Sequence, residues 1–172
     1  MANNEMQKRP PEKKKESSGQ PSMKWYDFLK DLGLYLYAVV VALMACTTIS
    51  GLTNAQAVAW LKEHGFEFLW TIDLVSCVTL FALAAYAVLI RFALAKKKAK
   101  APVMLLSLHV LDVVLNLVQL IITGNVAPKL NAIVPGMMQT DLFSSLMPIV
   151  GGLVLIFVNL TYFRKRKELF QN

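Results

Sequence analysis

VMLLSLHVLDVVLNLVQLIIT, residues Val103 to Thr123, is the stretch whose reading decides the fold. At ~1.5 Å rise per residue it makes a helix of roughly 31 Å, which matches a bilayer hydrocarbon core of ~30 Å. Fourteen of its residues are Leu, Ile or Val, but His109, Asp112, Asn116 and Gln119 interrupt the run. At 100° per residue these four fall within one arc of ~80° on a single helix face. At about 0.3–0.6 kcal/mol per Leu, Ile or Val, insertion gains roughly 4–8 kcal/mol, whereas one central Asp costs ~2.5–3.5 kcal/mol. With His, Asn and Gln added, the span is close to break-even alone. Its polar face is therefore predicted to turn into a bundle, and the rest of the chain must provide the facing surface.

The composition supplies such a bundle. Of 172 residues 56% are hydrophobic, the mean hydropathy is +0.49, and an ordinary soluble domain is nearer ~45–50% apolar. The surplus is gathered in four blocks, giving an all-α membrane protein, a bundle of four transmembrane helices with spans at about 28–52, 68–90, 103–123 and 146–163. Together they form one membrane domain over 23–172. Residues 1–22, rich in Lys, Glu, Pro and Ser, read as a disordered basic cytoplasmic tail. Because the chain opens on that tail rather than on a signal peptide, the first span is expected to act as an uncleaved anchor.

Charge placement orients the spans. Seven Lys and Arg lie up to Lys30, five between Arg91 and Lys100 and four between Arg164 and Lys167, whereas the other two loops hold only Lys62 and Lys129. Sixteen against two places both termini in the cytoplasm. Fusion reporters at Val58 and Asn131 that read cytoplasmic would overturn this topology. The same clusters flank apolar spans, so the net charge of +7 points to a lipid bilayer with anionic headgroups and to no nucleic acid.

Between the first two spans, Asn54 is placed to cap and Gly65 to end a short helix, lying along the membrane or serving as an ordinary loop helix, with His64 exposed. Asp73 is expected near the interface at the start of the second span, and Pro102 starts the third. The segment from Gly124 to Ser145 is read as a long loop that packs onto the bundle or dips into the interface. Pro148 is read in the first turn of the fourth span, and Gly151 and Gly152 as a flat contact surface.

The candidate intramembrane polar face is His109, Asp112, Asn116 and Gln119 with Asn159, which lies near the depth of His109 and is expected to hydrogen-bond to it. His109 and Asp112, three residues apart, can also pair within one helix. One reading makes the face hydrogen-bond glue between helices, the other a proton or ion relay. Cys46 and Cys77 sit at matching depth without a CxxC or metal spacing, so two small buried residues is the better account and a thiol redox pair the weaker one. No hydrolase, kinase, phosphate-loop or metalloprotease motif is present. No catalytic residue, cofactor or metal is therefore expected.

The flanks carry a resemblance. Met23-Lys24-Trp25-Tyr26-Asp27-Phe28-Leu29, then Arg91-Phe92 with a basic loop ending at Pro102, and then Asn159, Tyr162-Phe163 and Lys165-Arg166-Lys167-Glu168-Leu169-Phe170 resemble a group of small uncharacterised four-span bacterial membrane proteins. More loosely they are similar to a broader four-helix membrane family of unknown function. The resemblance covers Met23 to Asn172 and implies four spans, bacterial origin and membrane location, but it transfers no activity or site residue. The leading expectation is an accessory or interaction protein of the bacterial cytoplasmic membrane, not an enzyme, whose partners are other membrane proteins or further copies of the chain. The alternative is a small transporter or channel component using the polar face, and a third is a membrane thiol redox protein.

Overall fold

The computed structural model describes residues 23–138 and 141–170; the tail predicted over 1–22 lies outside them. Among the described residues five α-helices follow one another: α1 (Lys24–Leu52), α2 (Ala55–Glu63), α3 (Glu67–Ala95), α4 (Ala101–Ile133) and α5 (Leu142–Arg164). All but α2 are long and apolar enough to cross a membrane, and no strand occurs among the described residues. The chain is thus an all-α, multi-pass membrane protein. The long helices alternate in direction, α1 packing along α3 and α5 along α4, with α3 and α4 joining the two pairs. Residues 24, 95, 101 and 164 therefore share one end, the proximal end.

The core is concentrated towards that end. Leu34, Ala38, Leu83, Ala87, Ile90, Leu94, Leu105 and Leu108 are buried there with Tyr26, Phe163 and Phe170. The C-terminal turn folds back so that the Phe170 ring meets Phe163 and Tyr26 edge-on at 5.3 and 6.0 Å. Tyr26 also donates its hydroxyl to the Leu94 carbonyl at 2.7 Å, tying the start of α1 to the end of α3.

One turn of α1, Leu29–Gly33, is a π turn, and the buried positions of the helix explain it. They are 26, 29, 34, 38, 41 and 45, spaced by three or four residues except for the five-residue step from 29 to 34. A wide turn inserts the extra residue that keeps both halves of α1 facing inward. It also leaves the Lys30 carbonyl to accept from Arg91 Nε at 3.3 Å, and the Arg91 guanidinium lies over the Tyr35 ring.

The third span outruns its expected end. The segment read as a loop from Gly124 continues as helix to Ile133, through Gly124 and Pro128, so that α4 as a whole runs for 33 residues and ~50 Å. Tertiary burial overrides the two helix breakers: Val126 and Leu130 pack on Phe66, with Trp60, Leu61 and Leu69 around them. α2 is capped by Asn54, whose side chain accepts from Gln56 and Ala57 N–H, and the chain turns at Gly65 with φ +76°. His64, expected to be an exposed loop residue, is half-buried, its ring stacking on Trp60 at 4.2 Å between centroids.

α5 begins four residues earlier than read from the sequence, so Pro148 lies inside it rather than in its first turn. The reason is Asp141, which accepts from the Phe143 and Ser144 N–H groups and from the Ser144 hydroxyl at 2.6 Å. That hydroxyl, followed by the Phe143 amide, holds the Asp141 carboxyl below its ordinary range. A carboxyl depressed in the fold stabilises above its unfolded pKa, ~3.9, and stops doing so as pH falls through the lower folded value. Amide protection at Phe143 and Ser144 is therefore expected to drop under acid conditions in the wild type, and to be low at every pH in Asp141→Ala. Unchanged protection in that variant would remove the cap.

Candidate functional site

α4 presents the polar stripe, and its members meet different surroundings. His109 is buried, Asp112 and Asn116 are half-buried and Gln119 is exposed. The carboxylate of Asp112 accepts from the Tyr37 hydroxyl of α1 at 2.6 Å. Asn116 folds back, donating its amide N–H to the Asp112 carbonyl at 2.8 Å. His109 Nε2 is buried without a hydrogen-bond partner. No side chain of the stripe bonds another side chain of the stripe, and no ion pair joins His109 to Asp112 among the described residues.

The expected bond from His109 to Asn159 is absent. Asn159, fully buried, instead accepts from Trp25 Nε1 at 2.9 Å and donates to the Leu155 carbonyl. Register is the cause. α4 and α5 are in tight contact where a Cβ on Gly152 would come within 2.5 Å of Val113 Cγ2, so antiparallel partners sum to 265 (113 + 152). Asn159 then stands opposite residue 106 and His109 opposite residue 156, about one turn apart. Trp25, next to the buried Tyr26, fills the place that His109 was expected to take.

Four residues that sequence reasoning missed complete the polar arrangement. Tyr37 is the partner of Asp112, Trp25 that of Asn159, and Tyr86 pairs its hydroxyl with Ser107 at 2.8 Å across α3 and α4. Depth was an available signal for Tyr37, which lies 13 residues into α1 (37 − 24) where Asp112 lies 11 into α4 (112 − 101). A phenol at mid-span needs an acceptor, and Asp112 is the acid at that depth. Asp73 is exposed on α3, near its distal end.

Both cysteines are free. Cys46 is exposed, contrary to the expectation that both are buried, whereas Cys77 is buried with its thiol directed at the Ala45 carbonyl. α1 turns one neighbour inward and the other outward. Among the described residues no group of His, Cys, Asp and Glu is gathered closely enough to hold a metal ion. The chemistry available at the stripe is thus hydrogen bonding, with His109 and Asp112 as its titratable groups. No protein-family model, curated protein or solved structure matches the chain.

Proposed function

We propose that the chain is an accessory, partner-binding protein of the bacterial cytoplasmic membrane, with both termini in the cytoplasm. The observation that carries this reading is the division of the polar stripe. Its acid is engaged by Tyr37 inside the bundle, while Gln119 stands exposed on α4 with no hydrogen-bond partner among the described residues. An amide turned towards lipid is a contact for another membrane helix, where such a bond contributes ~0.6 kcal/mol and fixes orientation. α5 adds a broad apolar face, burying only Ile149, Asn159 and Phe163 among its described side chains. The test is a photo-crosslinking residue at Gln119 in native membranes, beside one at Val75, which is 61% exposed on α3. Discrete protein adducts are expected from position 119 and not from 75. Identical patterns would sink the reading.

A second reading, a small proton-linked transporter component, draws on the buried Nε2 of His109 one turn from Asp112. Purified wild type in liposomes is expected to give no more proton or cation flux than empty vesicles. Flux in the wild type that disappears in Asp112→Asn would replace the first reading by the second.

A further inference from the structure

At the proximal end α4 and α5 enclose a groove of about 300 Å³. Two helical stripes form it. On α4 and the turn before it they are Ala99, Pro102, Val103 and Leu106, and on α5 and the turn after it Leu160, Phe163, Arg164 and Lys167, each set at i, i+3, i+4 and i+7. Leu106 and Leu160 lie deepest in the span, and the two cations stand at the mouth. Phe170, held against Phe163 and Tyr26, closes the end wall.

The two cations lack the contacts that hold Arg91 and Arg166, as does the exposed Lys165 between them, which does not line the groove. Arg91 is engaged by the Lys30 carbonyl and the Tyr35 ring, and Arg166 by the Tyr162 carbonyl and ring. Arg164 and Lys167 are exposed and make no ion pair or side-chain hydrogen bond among the described residues. Glu168, the nearest acid in sequence, is exposed and forms no ion pair with Lys167. The positive end of the α4 dipole opens at the same mouth.

We propose that this groove binds one anionic glycerophospholipid, its phosphate held by Arg164 and Lys167 and the upper part of one acyl chain lying along Val103, Leu106 and Leu160. Apolar below and cationic at the rim, the groove repeats the polarity of a lipid entering from its own leaflet, and basic pockets between membrane helices are sites of this kind. Its volume is at the lower end of ligand sites, ~300–1,000 Å³, which suits a headgroup and part of one chain rather than a whole lipid. The proposal rests on the multi-pass architecture alone and not on the accessory or transporter reading, whose tests do not involve the groove.

The test is lipid retention by the delipidated full chain in detergent, read by native mass spectrometry with dioleoyl phosphatidylglycerol and dioleoyl phosphatidylcholine. Phosphatidylglycerol is expected to bind at least about tenfold more tightly than phosphatidylcholine, and Arg164→Gln/Lys167→Gln to remove that preference, since each cation near a membrane surface contributes comparably. Lys96→Gln/Lys97→Gln, which removes the same charge from a loop outside the groove, should change binding less than about twofold. Val103→Trp, at a position 67% exposed, fills the groove from its open side and should weaken both lipids. Equal loss from the two double variants would mean a diffuse basic surface. Binding unaffected by Val103→Trp, or displaced as well by inorganic phosphate as by lipid, would mean a free anion on the rim; any of these results overturns the site.

Discussion

Gly152→Val is expected to destabilise the bundle by ~3 kcal/mol, whereas Gly151→Val, one residue away, should change stability by less than ~0.5 kcal/mol. A Cβ on Gly152 would sit 2.5 Å from Val113 Cγ2, but a Cβ on Gly151 meets nothing within 4 Å. The obstacle cannot swing aside, because a β-branched valine in a helix keeps essentially one rotamer. The helices must therefore separate, and the Trp25 to Asn159 bond along α5 would be strained with them. Denaturant titration in mixed micelles, followed by far-UV circular dichroism, measures the difference. Removing the obstacle should restore stability, so Gly152→Ala/Val113→Ala is expected to be more stable than Gly152→Ala alone. Equal effects at the two glycines would show that Val113 does not set the α4 to α5 distance.

The glycine pair also marks what the sequence reveals and what it hides. Two adjacent glycines in an apolar span announce a close contact, and the bundle contains one, but only Gly152 makes it. Which of the two faces a neighbour depends on the rotation of α5 about its axis, and no local pattern carries that. The spans were legible because hydropathy is a property of contiguous residues, as were the Asn54 cap and the Gly65 turn, which need only neighbours in the chain. The end of α4 was not legible, because Gly124 and Pro128 oppose a helix locally and the burial that overrides them comes from Phe66, far away in sequence. The pairing of Asn159 failed for a related reason. Depth counted from the span ends placed it beside His109, while the register fixed at Val113 and Gly152 moved it about one turn away, to Trp25. The five-residue step in α1 is a further case, since a uniform 3.6-residue period cannot foresee a π turn.

For Asp112, the expected result is a double-mutant cycle with strong coupling. Tyr37→Phe should cost ~1–2 kcal/mol, because the carboxyl of Asp112 loses its only side-chain partner among the described residues, in half-buried apolar surroundings. Asp112→Leu removes the acceptor and leaves the Tyr37 hydroxyl unpaired, but it also takes an acid out of the span, which otherwise costs ~2.5–3.5 kcal/mol to insert. Its net effect should therefore be smaller than that of Tyr37→Phe. In the double variant both polar partners are replaced by apolar groups of similar shape, a change that is nearly neutral or stabilising. Tyr37→Phe/Asp112→Leu is thus expected to be at least as stable as wild type, with an interaction energy of ~1–2 kcal/mol at the upper end of bonds measured in membranes. Single effects that add within ~0.3–0.5 kcal/mol would mean that the pair does not act as a unit. A double variant as stable as wild type would also show that hydrogen-bond glue is not the reason for keeping an acid at mid-span. The liposome and crosslinking measurements on that variant would then assign its use: loss of flux to proton movement, or loss of the adducts at position 119 to the orientation of α4 towards a partner.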